Sequence, residues 1–368
     1  MRKFHNFMPK VEVMESRWCP SSITVTGSTM KIVGDIGANV VTVTHDGAGN
    51  VTATATGTPS AGPTVASGIK KIIIDTQAGA DTVTINVTGE LTKQLDLRLN
   101  LGADNDTVNV KTFAAVSSSL CMDADLGSGD DTIGVNLDAE LKSKSRVDLR
   151  VNGRDGNDTW NLSVNEVRTK AELKAAFHGC DGNDTFNVFM GDPIEAKAKV
   201  EIRGRGGDGN DNMTVDAATF GTGSTIGSGA KVFVDLHGGD DTDTLRAIFG
   251  TAAKPANIAA GAKLAVHLAG QDGDDTLTSS YVGEVDGKYK LRIDGGDGND
   301  NATGTVTINP GSTGKVHARV NGQKGDDTLA LHIIDLSGGT AKIKAKVDGG
   351  RGTDTAATTG PVVVRHVP

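Results

Sequence analysis

The chain has 368 residues, 49 of them glycine, with 4% aromatic residues and a formal net charge of -9. So few rings beside so much glycine argue against a broad globular core, and for tight turns joined by thin repeated apolar layers. The acidic balance argues against nucleic acid as a partner, because a phosphate backbone selects basic surfaces.

Residues 1–22 carry basic residues but no apolar stretch of the kind an ordinary cleaved signal peptide needs. They read as a leader segment. The cysteines, Cys19, Cys121 and Cys180, lie far apart without a CxxC, so neither a disulfide framework nor a zinc site is expected. No apolar run is long enough for a transmembrane helix. From Ile23 to Gly57 threonine and valine alternate around a turn at Asp46–Asn50, which predicts an N-terminal β cap over 23–60.

Residues 61–368 are repetitive. Aligned on an Asp that ends a glycine-rich turn, the repeats place Asp81, Asp106, Asp131, Asp158, Asp184, Asp211, Asp243, Asp275, Asp300, Asp327 and Asp354 at spacings of 25 to 32 residues. A period held this long is an architecture. Asn39 reads as a degenerate earlier member. Eleven, nine and seven residues before the Asp sit apolar residues, as in Val147, Leu149 and Val151, with polar residues between them. That alternation of period two is a strand with one face inside. Apolar residues return two and four positions after the Asp, as in Trp160 and Leu162, so a second strand follows the turn. The Thr that follows most of the aligned Asp residues reads as turn exit and strand start.

Each repeat is therefore strand, Gly/Asp turn, strand and a variable return. A single repeat cannot bury its own apolar face, so the coils must stack. The expected fold is all-β: a parallel β-helix, or solenoid, of about eleven coils of 25–32 residues with one stacked Gly/Asp turn per coil. Glu166 to Ala176 is compatible with one helical turn. The two long spacings put extra residues into the returns near Gly221–Gly229 and Ala252–Gly261, and Pro361–Pro368 reads as a short C-terminal cap.

In such a stack the aligned Asp residues recur about every 5 Å, where two unit charges repel by roughly 3 kcal/mol at an effective dielectric near 20. Over many coils that repulsion rivals a whole domain's stability of about 5–15 kcal/mol. Something must neutralise the row. Hard oxygen ligands from carboxylates and glycine-opened backbone are what Ca²⁺ takes. The expected metal ligands are the turn residues Asp158, Asp184, Asp211, Asp243, Asp275, Asp300, Asp327 and Asp354, with the earlier acids Asp155, Asp181, Asp208, Asp240, Asp272 and Asp297. Lys324 and Arg351 replace that earlier acid in the last two turns, where binding should weaken. The competing reading is that Asp and Asn only hold tight turns through local N–H groups. An outward basic row eight residues before the Asp (Arg98, Arg150, Arg203, His267, Arg292, Arg319 and Lys346) could soften the charge but not chelate.

The turns GRDGNDTWN (Gly153–Asn161), GCDGNDTFN (Gly179–Asn187), GGDGNDNMT (Gly206–Thr214) and GGDGNDNAT (Gly295–Thr303) carry a further signal. They resemble the RTX, or hemolysin-type, calcium-binding nonapeptide G-G-x-G-x-D-x-U-x. The resemblance covers eight turns well and the three earlier ones loosely, and it implies Ca²⁺ held between the turns of successive coils. Those repeats run two per 18-residue coil, whereas here one motif occurs per coil of 25 or more, which predicts one row of sites rather than two. Pro9–Ser21, PKVEVMESRWCPS, is similar to the LEPR-XLL segment of bacterial secreted surface proteins, with Met14 and Ser16 departing from that pattern. It implies export without an ordinary signal peptide and an extracellular or cell-surface location.

The sequence has no HExxH, P-loop or GxSxG. Its charges repeat evenly, whereas catalysis needs one exceptional coil. The expected role is an extracellular calcium-binding structural repeat protein. The alternatives are a metal-free β-helix that binds an anionic polymer or a surface or matrix polysaccharide, and, behind that, a polysaccharide lyase or epimerase.

Overall fold

The computed structural model describes residues 21–56, 61–191, 193–218 and 225–367. The expected leader lies outside the described residues except for its last two positions, as do Gly221–Ser224 of the first long return. The described chain is a parallel β-solenoid, and no helix interrupts it.

Each coil begins with a long strand, for example Arg146–Asp155, Glu172–Asp181 or Lys199–Asp208, and turns into a shorter one such as Thr159–Val164 or Thr185–Met190. The strand before the turn pairs with its equivalents in the neighbouring coils and the strand after it with its own, so two fourteen-stranded sheets run through the described residues. Register is constant because the buried residue of one coil sits on that of the next: Leu120, Val147, Leu173, Val200, Val232 and Leu264 form one such column. A one-residue slip would turn every apolar side chain outward, so the pattern locks the stack.

The return segment contributes one inward residue per coil. Leu91, Val116, Leu141, Val167 and Ile194 stack as single bridges along a third side, all buried. Trp160, Phe177 and Phe186 fill the middle of the core, with ring centroids 4.8 to 6.0 Å apart. Tyr281 stacks on Tyr289 further along, at 4.6 Å.

The expectation of a helical turn at 166–176 is corrected. Glu172–Asp181 is a strand whose Leu173, Ala175 and Phe177 alternate inward. Cross-strand pairing on both sides overrides the weak helical preference of a short segment. At the N-terminal end Ser22–Thr26 pairs antiparallel with Thr29–Val33, and Val51–Thr56 pairs antiparallel with Val40–His45 and Ala61–Ala66. These strands occupy that end, while Thr29–Val33 and Val40–His45 already run parallel to the following coil. At the other end Val362–Arg365 adds one parallel strand.

Candidate metal-binding turn row

The aligned Asp residues from Asp81 to Asp354 are all buried, none more than 3% exposed. In every coil the Asp backbone N–H donates to Oδ1 of the Asp in the next coil, as Asp158 does to Asp184 and Asp184 to Asp211, each at 2.7 Å. The chain of bonds runs unbroken from Asn39, which donates to Asp81, through to Asp354. A second row runs the other way on the outer side of the turn. There the N–H of Asn157, Asn183 and Asn210 donates to the side-chain oxygen of Asp130, Asn157 and Asn183 in the coil before. The turn is thus held by side chains acting as backbone acceptors.

That accounts for one carboxylate oxygen. The other, Oδ2, is buried without a hydrogen-bond partner at every one of these aspartates. From Asp158 onward it lies against a glycine five residues earlier. A Cβ on Gly153 would stand 2.3 Å from Asp158 Oδ2 and 2.6 Å from the carbonyl oxygen of Gly179. The same pairing of Asp Oδ2 with the next coil's glycine carbonyl recurs at Gly179, Gly206, Gly238, Gly270, Gly295 and Gly322. Strand pairing lapses at this one position, since register runs from Asn152↔His178 to Arg154↔Cys180 without joining the glycines. In the coils from Gly153 onward a side chain at this position would meet the carboxylate. In the three earlier coils Thr76, Leu101 and Leu126 stand at this position, and all three are buried.

Burial pushes the carboxyls from Asp81 to Asp327 up, neighbouring charges add to it at most of them, and the N–H bond to Oδ1 offsets it only in part. Asp106, Asp131, Asp158, Asp243 and Asp300 reach about 7, Asp184, Asp275 and Asp327 about 6, and Asp211 about 8. A bare row of charges is therefore the unfavourable state.

The expected ligands separate into two rows. Asp158, Asp184, Asp211, Asp243, Asp275, Asp300, Asp327 and Asp354 form the inner, buried row. Asp155, Asp181, Asp208, Asp240, Asp272 and Asp297 form an outer, exposed row, in register from coil to coil. Lys324 follows in register and pairs with Asp297, closing the outer row. The outward basic row does not reach the turn: Arg150 pairs with Asp148 at 3.5 Å and Arg203 with Glu201.

One group escaped the sequence reading, which treated the charges as evenly repeated. Among the described residues Asp235, His237 and His267 bring their ligand atoms within 4.8 Å of one another on the outer face of the long-strand sheet. His267 Nδ1 is 2.8 Å from Asp235 Oδ1, and its Nε2 is 3.0 Å from Asp294 Oδ2. Hydrogen bonds from His237 and His267 hold Asp235 well below the usual carboxylate range. Asp235 and Asp294 together push His267 up to about 9. The signal was present as Asp-x-His in one coil with His in register in the next, visible only when coils are compared column by column.

Fold and site together define a parallel β-solenoid with a buried aspartate row along one turn edge. No protein-family model, curated protein or solved structure matches the chain.

Proposed function

We propose that the protein is a rod-like structural repeat protein of the cell exterior whose turn row takes up Ca²⁺. The observation that carries this reading is the unpartnered, buried Oδ2 repeated in coil after coil beside a glycine carbonyl. Leaving such an oxygen charged and unsatisfied costs several kcal/mol, so each must hold a proton or face a cation. The donors are all oxygen, which suits a hard cation and not a thiophilic one. Asp158, Asp184, Asp211, Asp243, Asp275, Asp300, Asp327 and Asp354 would supply carboxylate oxygens, with the facing glycine carbonyls, and at Asp354 the His366 carbonyl, beside them. The outer Asp155, Asp181, Asp208, Asp240, Asp272 and Asp297 would add negative charge on the solvent side. Bound calcium would supply charge neutralisation and cross-linking between coils. The resemblance of the turns to RTX repeats, and of the leader to LEPR-XLL segments, supports the metal and the exterior location.

The test is a calcium titration of exhaustively chelated protein at pH 8, followed by circular dichroism and thermal melting. Wild type should melt higher with millimolar Ca²⁺. Asp211→Asn keeps an acceptor for the Asp184 N–H and turns an amide N–H toward the Gly238 carbonyl. The variant should melt above wild type without calcium and gain less from it. A wild-type melting point indifferent to chelation and to calcium would leave only a proton-neutralised scaffold.

A second reading, binding of an anionic polysaccharide, is favoured by the distribution of lysine. Lys199, Lys231, Lys263, Lys288, Lys315 and Lys342 stand in register on the outer face of the long-strand sheet. In the earlier coils that face is ion-paired, as by Arg146 and Asp148 at 2.9 Å. Toward the C-terminal end Lys288, Lys290, Lys315, Lys342 and Lys344 form no ion pair among the described residues. Four of them, Lys288, Lys344, Lys315 and Lys290, lower the pKa of His317 together with its burial.

A further inference from the structure

The geometry points to Asp235, His237 and His267 as a binding site for a zinc-class divalent transition metal, a site separate from the turn row and independent of the calcium reading. Asp235 and His237 project from the same face of the strand Lys231–Asp240, two residues apart. His267 is the direct neighbour of Asp235 on the next strand, Lys263–Asp272. Three ligands therefore come from the rigid part of the fold rather than from loops, the placement that holds metal geometry best.

The distances suit the purpose. Asp235 Oδ1 lies 2.8 Å from His267 Nδ1 and 3.2 Å from His237 Nε2. Tetrahedral bonds of about 2.0–2.1 Å place ligand atoms about 3.3 Å apart, so small side-chain rotations admit an ion. The ring of His237 meets that of His267 edge-on at 5.4 Å, so the two rings do not stack across the opening. All three side chains keep about a quarter of their surface in solvent, from 23% to 29%, which leaves a path in and a free coordination position.

The second observation is Asp294. It is 3% exposed and accepts from His267 Nε2 at 3.0 Å, so the far nitrogen of the ring is committed and Nδ1 faces Asp235 and His237. A buried carboxylate behind a ligating histidine fixes its tautomer and orientation. The cations in register with these side chains are Arg203, Arg205 and Arg292; Arg203 pairs with Glu201, and Arg292 pairs with Asp294 behind His267. A nitrogen-rich set of two imidazoles and one carboxylate selects zinc-class ions over calcium, which takes oxygen.

The experiment is isothermal titration of the full chain with Zn²⁺ in excess Ca²⁺, paired with the visible absorption of Co²⁺ as a probe of geometry. Wild type should take up one Zn²⁺ per chain and give an intense tetrahedral-type Co²⁺ spectrum. The double variant His237→Ala/His267→Ala should lose at least ~100-fold in affinity and the spectrum with it. Asp294→Asn should weaken binding about 10–100-fold while keeping the stoichiometry. Asp211→Asn, in the turn row, should bind Zn²⁺ as wild type does. Absence of saturable zinc binding in wild type, or equal binding by a double variant shown to be folded by circular dichroism, would overturn the assignment.

Discussion

Asp211 shows in one residue how the turn works. Its Oδ1 caps the backbone of the preceding coil, while its Oδ2 presses toward the space a side chain on Gly206 would need. A Cβ on Gly206 would stand 1.6 Å from that oxygen and 2.5 Å from the Gly238 carbonyl. The carboxylate could swing away, but the backbone oxygen cannot, so Gly206→Ala should cost about 2 kcal/mol as overpacking. Gly62, with nothing within 4 Å of its added Cβ, is the matched control, and Gly62→Ala should leave thermal melting unchanged. Equal melting of the two variants would remove the steric reason for glycine at that position. The sequence places Asp155 and Asp158 on one motif but does not say that one faces solvent and the other the interior. Positive φ values at Arg154 (86°) and Gly156 (127°) break the alternation between them. Side-chain direction through the turn is therefore set by backbone geometry, not by spacing.

At the scale of the element, most members of the row are shifted in the same direction. An unfolded Asp ionises near 3.9, whereas most members of the folded row reach about 6 to 8. The folded chain thus holds protons that the unfolded chain has released. For metal-free protein this stabilising term is complete below about pH 4 and is lost as pH rises through about 6–8. Melting of the chelated protein should fall between pH 5 and pH 8, and calcium should restore it most at the alkaline end. A flat profile under chelation would contradict the burial argument. The strands themselves were legible in the residues. Val147, Leu149 and Val151 alternate as a half-buried strand must, and they are buried. The stretch at 166–176 was not, because a single coil offers too few residues to separate period two from period 3.6 until its neighbours pair with it.

For the whole molecule, stacking turns any residue that recurs at one position of the repeat into a continuous stripe. The inner aspartates, the outer aspartates and the lysines are three such stripes on one rod. The lysine-rich C-terminal part of the long-strand sheet makes a prediction at this scale: an acidic polysaccharide should bind with an affinity that falls steeply with salt. Charge reversal at Lys290 and Lys344 should weaken it at least ~10-fold in a pull-down or titration, since like charges steer the polymer away. Retention that ignores both salt and charge reversal would exclude this surface. Among the described residues no helix is long and apolar enough to cross a membrane.

Periodicity and turn chemistry were enough to specify a parallel solenoid with one aspartate per coil, because both follow from which residue types recur and how far apart. They could not say which carboxylate oxygen is satisfied, that the aromatic rings of Trp160, Phe177 and Phe186 meet across coils, or that Asp235, His237, His267 and Asp294 converge. Those facts depend on register between strands roughly 25 to 32 residues apart in the chain. Only stacking brings such distant residues to about 4.8 Å, and only there do hydrogen bonds and charge begin to act between them.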